Sequence, residues 1–314
     1  MRHNSHTIRS LIALAALFVT TAALAQMATP AETEVKIIPL SDGLHMLMGI
    51  GGNIAVSNGV DGVFIVDDDV APMSPKIKAA IATISPAPVE MVFNTHWHFD
   101  HTGGNTVFGE QGALIVAHDN VRQRMSTPQF SSFFNTETKP SPDAALPVIT
   151  FDSTATFHLN GQTIRAIHTT PAHTDGDAIF IFVEANVVHL GDVFFNGMYP
   201  FIDLDGGGSV QGIIDAVDSI LPMLNEDTQI IPGHGPLATL DDLKSYRSML
   251  MLVTARIQVL VDEGKTREEA IILRPTFNFD EDWSWSFLPP ERWTGLIYDS
   301  VVKAAAATPT GGAD

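Results

Sequence analysis

Cysteine is absent from the 314 residues. No disulfide, thiol nucleophile or cysteine-based metal site is therefore available, and a chain that folds outside a reducing compartment must rely on its core. Positive charge is scarce as well: 17 lysines and arginines face 36 aspartates and glutamates, a formal net charge of −19, with no run of basic residues. Such a surface repels a phosphate backbone, which argues against nucleic acid as partner and leaves a small molecule as the expected ligand. Long apolar runs are missing too. The longest, Leu11 to Ala23, falls short of the about 20 residues that a span needs. It follows a polar start with Arg2 and Arg9 and overlaps Ala23-Leu-Ala25, the pattern of a secretory signal peptide over residues 1–25. Without that segment, 15 basic and 36 acidic residues remain, a formal charge of −21. The expected destination is then periplasmic or secreted, with no membrane span. Hydrophobic residues, by contrast, make up 45%, enough for one large domain over 26–306 followed by a loose tail over 307–314.

The pattern begins with short β-like runs at Val35–Ile38, Leu44–Met48, Asn53–Ser57 and Val63–Val66, punctuated by Gly43, Gly51, Gly52, Gly59 and Gly62. Ser74–Ile84 carries Ile77, Ala80, Ile81 and Ile84 on one helical face, and Val89–Phe93 reads as the next strand. Ala113–Ala117 predicts a strand and His118–Met125 a helix. The second half repeats the plan with strands at Thr154–Leu159, Thr163–His168, Ile179–Val183 and Val187–Leu190 and an apolar-faced helix over 209–224. Thr239 to Asp242 and Thr266 to Glu269 are capping boxes, the first opening a helix to about Gly264, and Pro289-Pro290 starts a terminal helix. Such alternation predicts an α/β sandwich with outer helices. Between the halves, residues 126–148 set Phe130, Phe133 and Phe134 among four prolines. A loop this long either covers a site as a flap or packs down on the core.

The chemistry concentrates in Thr95–Asn105, THWHFDHTGGN, where His96, His98, Asp100 and His101 stand within six residues. His96 and His98, two apart on an extended segment, leave it on the same side. Metals of the zinc type favour neutral imidazole nitrogen and carboxylate oxygen. Further along come Thr170-Pro-Ala-His173-Thr-Asp-Gly176, His189-Leu-Gly-Asp192 and Ile231-Pro-Gly-His234-Gly235, each after a strand-like run.

These motifs, in this order, resemble the metallo-β-lactamase superfamily over roughly residues 40 to 250. The resemblance implies a four-layer αββα sandwich and two zinc ions (Zn2+): His96, His98 and His173 at one, Asp100, His101 and His234 at the other, and Asp192 between them. It implies cleavage of an ester, thioester, lactone or related bond by metal-bound hydroxide, with Asp100 orienting that hydroxide and taking its proton. It also implies that Asp67 helps hold the metal loop, beside the plain reading of a turn residue.

Gly191-Asp192 is similar to glyoxalase II, whereas export and the Asp-His-His set are shared with one β-lactamase subclass. The runs NTHWHFDHTGGN, PAHTDGD and GDVFFNGMYPFID look like exported β-lactamase-like hydrolases found near sulfur-oxidation and quinoprotein systems. Three alternatives stand beside the general hydrolase: a β-lactamase, a mononuclear iron enzyme similar to persulfide dioxygenases, and a zinc binder without turnover. Phe194 and Asn196, just past Asp192, either line a substrate cleft or belong to the core. His45, His118, His158, His168 and His189 lack a motif and read as structural. No lysine or arginine lies between Asp192 and His234 to meet a substrate carboxylate.

Overall fold

Alternation along each strand decides which layer a side chain enters. The computed structural model describes residues 29–307; the expected signal peptide and residues 308–314 of the expected tail lie outside them. The first sheet runs β1 Lys36–Ser41, β2 Leu44–Met48, β3 Ile54–Gly59, β4 Gly62–Val66, β5 Val89–Phe93 and β6 Leu114–His118. A small hairpin, β7 Gln129–Ser131 with β8 Thr136–Thr138, precedes its last strand, β9 Ile149–Phe151. The second sheet is β10 Thr154–Leu159, β11 Gln162–His168, β12 Ala178–Phe182, β13 Val187–His189 and β14 Gln229–Ile231. Pairing is parallel along β4-β5-β6-β9 and again between β13 and β14, and antiparallel elsewhere, the β7–β8 hairpin included.

Phe64 and Val66 face the second sheet, where Phe180, Phe182, Ala166 and Ile231 meet them. Their neighbours Val63 and Ile65 face outward under helices α1 Ser74–Ile84 and, past the four-residue α2 Phe99–Thr102, α3 Asn105–Glu110. The helix α4 Asp119–Met125 follows β6. On the far side, Ile179, Val188, Leu190 and Ile230 pack beneath α5 Val210–Ile220, α6 Leu240–Asp262 and, after α7 Arg267–Leu273 and α8 Asp280–Trp283, α9 Pro290–Ala307. The result is the four-layer αββα sandwich that the motifs imply. No helix among the described residues is long and apolar enough to cross a membrane.

Both capping boxes form, Thr239 with Asp242 and Thr266 with Glu269. The helix expected over 209–224 stops at Ile220, because Pro222 lacks the N–H that another turn needs, and the chain tightens into a 3-10 turn over Leu221–Met223. The two sheets are stitched at one edge: Ala178 N–H donates to Thr95 O at 2.8 Å, and Asn53 N–H to Gly233 O at 2.8 Å. The loops after β5, β11, β13 and β14 all meet there.

Candidate metal centre

β4 ends in three buried acids, Asp67, Asp68 and Asp69, with Asp67 (φ 64) and Asp69 (φ 65) in the left-handed region that aspartate tolerates. Each fastens a different stretch of backbone. Asp67 accepts from Thr95 N–H at 2.8 Å and from Thr95 Oγ1 and His101 Nδ1 at 2.7 Å. Asp68 accepts from Gly104 N–H at 2.7 Å, and Asp69 from Gly51 N–H at 2.8 Å and Ile50 N–H at 3.2 Å. Burial drives Asp68 well above the ordinary carboxylate range and raises Asp69 against these donors. Asp67 is thus a turn residue and a clamp on the loop at once.

The seven residues singled out in the sequence come together in two groups. His96, His98, His173 and Asp192 present ligand atoms within 4.8 Å of one another, and so do Asp100, His101 and His234. Asp192 stands between: its Oδ2 lies 3.4 Å from His173 Nε2 and 3.8 Å from His96 Nε2, its Oδ1 3.0 Å from His101 Nε2 and 3.4 Å from His234 Nε2.

The outer nitrogens fix how these rings are protonated. His173 Nδ1 meets Phe201 O at 2.9 Å, His98 Nε2 meets Asp203 Oδ2 at 2.9 Å, and His101 Nδ1 meets Asp67. His96 Nδ1 lies 3.0 Å from Thr95 Oγ1, whose hydroxyl donates to Asp67. Carbonyl and carboxylate oxygens only accept, so the outer nitrogens carry hydrogen and the inner ones present lone pairs while the rings are neutral. His98 Nδ1 then opposes His173 Nε2 at 2.8 Å, and buried His96 Nε2 has no hydrogen-bond partner. Opposed lone pairs repel unless a cation sits among them. A nitrogen and oxygen donor set with outer hydrogen-bond partners fits a divalent ion of the zinc type.

Charge divides along the same line. Burial, with His101 nearby, holds His96 well below the usual imidazole range, and burial, with His98 nearby, pushes His173 down to about 4. Burial works in the same sense on His101 and His234, yet Asp192 and its fellow carboxylates outweigh it, holding His101 well above the usual range and His234 at about 9. In turn the cationic His101, with His234, keeps Asp100 and Asp192 below the carboxylate range despite burial. These carboxylates require positive charge here, from protons on His101 and His234 or from metal that replaces them.

Other expectations sort differently. Phe194 is fully buried and packs on Tyr246 at 5.0 Å between ring centroids, so it belongs to the core and cannot line a cleft. It is Phe195 that stacks on His234, at 5.0 Å. Asn196 donates its amide to Pro236 O at 3.1 Å and braces the His234 loop. The hairpin of residues 126–148 lies beside the site, with Phe133 4.8 Å from Phe201, whose ring is 6.1 Å from His98 and 5.8 Å from His173. Arg124 holds its base to the His173 loop through two 2.6 Å bonds to Asp175. His118 stacks on His168 at 3.7 Å and His189 bonds Asn53 O, and none of the three belongs to a ligand group.

Sequence reasoning passed over Asp203, which orients His98; the only signal was its place in the polar end of FIDLDGGG. It also read Gly52 as a turn and gave Gly233 no role. A Cβ on Gly52 would stand 2.2 Å from the His101 ring, and one on Gly233 2.0 Å from Asp192 Oδ1.

Residues 61–250 match the family described as the Metallo-beta-lactamase superfamily. Hydroxyacylglutathione hydrolase GloC of Haemophilus influenzae is 29% identical over 166 residues, covering 52% of this chain and 76% of that protein. A metallo-beta-lactamase from Pontibacter korlensis superposes with a TM-score of 0.57 at 16% identity, over 69% of this chain and 99% of that one. The stereoselective inverting sec-alkylsulfatase Pisa1 from Pseudomonas sp. gives 0.63 at 15% identity, over 88% of this chain and 52% of that one, about half its length. At such identities both structural likenesses concern the fold alone.

Proposed function

We propose, since this chain belongs to the metallo-beta-lactamase superfamily, that it is a hydrolase with two zinc ions that opens an ester, thioester, lactone or related bond. The observation that carries this reading is the place of Asp192, with one carboxylate oxygen toward His96 and His173 and the other toward His101 and His234. His96, His98 and His173 would hold one ion, Asp100, His101 and His234 the second, with Asp192 shared. Bound there, the ions would supply a nucleophilic water at neutral pH and Lewis-acid polarisation of the bond under attack.

The chain's own groups do the rest. Asp100 is 24% exposed where Asp192 is 4%, so Asp100 is the carboxylate that substrate and solvent reach. The positive charge at this site, which bound metal would supply in place of the protons on His101 and His234, keeps it ionised, so it would receive the proton released as the nucleophile attacks. Asp67, Thr95, Asp203 and Phe201 O keep the imidazoles from rotating during turnover. Phe133 and Phe201 wall the His98 side against water. The likeness to a hydroxyacylglutathione hydrolase supports hydrolysis over oxygen chemistry.

The test is a substrate panel on zinc-loaded protein: 4-nitrophenyl acetate, an acyl-glutathione thioester, a γ-lactone and benzylpenicillin. The expected order places an ester, thioester or lactone above the penicillin in kcat/KM. A penicillin value of about 10⁵ M⁻¹s⁻¹ or more, above every other substrate, would replace this reading with β-lactamase. Oxygen uptake with one bound iron would replace it with the persulfide dioxygenase class.

A further inference from the structure

Beside the first ligand group lies a cavity of about 280 Å³ lined by Phe133, Phe201, Leu296, Asp203, Arg267 and Arg292, near the lower end of small-ligand pockets at roughly 300 Å³. It shares a wall with the metal centre. Phe201, whose carbonyl accepts from His173 Nδ1–H, and Asp203, which bonds His98, both face it. Another part of its wall is one face of α9, where Arg292, Leu296 and Asp299 recur at the spacing of successive helical turns.

The acids of this cavity are already engaged. Asp203 takes His98 Nε2 and Gly206 N–H, Asp205 takes the N–H and hydroxyl of Ser132 at 2.6 Å, and Asp299 takes Arg267 Nε at 3.0 Å. Arg292 differs. Its guanidinium lies 4.0 Å over the ring of Phe133 and 5.3 Å from that of Phe287, and it donates to Phe287 O at 3.2 Å. No carboxylate among the described residues pairs with it, in a chain where acids outnumber bases 36 to 17. Stacking fixes the plane of the fork and leaves N–H groups for a bidentate acceptor. A solvent-exposed cation stacked on an aromatic wall, next to the proposed hydrolytic centre and without a carboxylate partner among the described residues, is suited to an anion brought by the ligand.

We propose that this cavity is a substrate subsite: Arg292 receives a carboxylate, Phe133, Phe201 and Leu296 hold a short apolar chain, and the bond to be cleaved lies at the metal centre. The substrate class is a monoanionic ester, thioester or lactone whose carboxylate is separated from the reacting carbonyl by an apolar spacer. The assignment of the reacting end rests on the hydrolase reading; the anion subsite itself does not.

Titration calorimetry of the zinc-loaded protein with hexanoate and with hexanamide, equal in length and differing in charge, measures the subsite directly. Hexanoate binds more tightly, and in Arg292→Gln the ratio of the two affinities falls by about tenfold or more, the scale of a hydrogen bond to a charged group. Arg292→Lys, the second variant should the first not fold, also lowers the ratio, because an ammonium lacks the planar fork. A ratio unchanged in these variants, or lowered equally by Lys244→Gln on the exposed face of α6, overturns the subsite. A parallel assay compares 4-nitrophenyl hexanoate with the 4-nitrophenyl monoester of adipic acid. If neither ester turns over, the hydrolase reading fails while the affinity ratio still decides the subsite; if both turn over and the affinity ratio ignores Arg292, the subsite fails and the hydrolase reading stands.

Discussion

At the scale of single residues, the site depends as much on what holds its ligands as on the ligands. Asp203 meets His98 across 105 residues of sequence, at 2.9 Å. Asp203→Asn keeps the volume and removes the charge that fixes His98, so metal affinity and kcat/KM should each fall by roughly 10- to 100-fold, as for other outer partners of metal-ligating histidine. Competition with a metal chelator checks this, and unaltered affinity would remove Asp203 from its orienting role. Gly233 matters for the opposite reason, since it must add nothing. A methyl there would stand 2.0 Å from Asp192 Oδ1 and 2.7 Å from Gly191 O, so Gly233→Ala should displace the shared carboxylate and bring metal content below two per chain. Full metal content in that variant would mean that Asp192 does not bridge the two groups.

At the scale of elements, the helices that cover the sheets should be separable from the chemistry. Thr239→Ala removes one half of the box that opens α6 and should cost about 1 kcal/mol. The denaturant midpoint should fall while metal content and turnover stay as they were; a large loss of metal would tie α6 to the site. Elements of this kind were readable in advance wherever periodicity was clean: β2, α1, β5 and β10 begin and end at the residues that the pattern marks. Where a single residue overrides periodicity, as Pro222 does, the pattern misleads. Helices of four to six residues such as α2 and α3, just past the metal motif, are too short to show a period at all. The seven candidate ligands stand in local motifs and were legible. Asp203, Arg292 and the closeness of Gly52 to His101 were not, because each gains its meaning from a partner far away in the chain. Phe194 and Phe195 adjoin in sequence but alternate in direction, and only the fold assigns one to the core and the other to His234.

At the scale of the whole molecule, two sheets joined at one edge let four loops deliver their side chains to one place, while the outer helices supply the cavity with Arg267 and Arg292. We propose that this assembly works outside the cytoplasm. The charged start, apolar run and Ala-x-Ala site then require a mature chain beginning at or near Gln26. N-terminal sequencing of exported protein that still carried Leu11 to Ala23 would defeat that proposal. The central claim is the pair of metal sites, and native mass spectrometry of zinc-loaded protein tests it most directly. The wild-type chain should carry two zinc ions, and His96→Ala and His234→Ala one each, because the two histidines stand in different ligand groups. A single ion in the wild type, or two tightly held ions in either variant, would contradict the account.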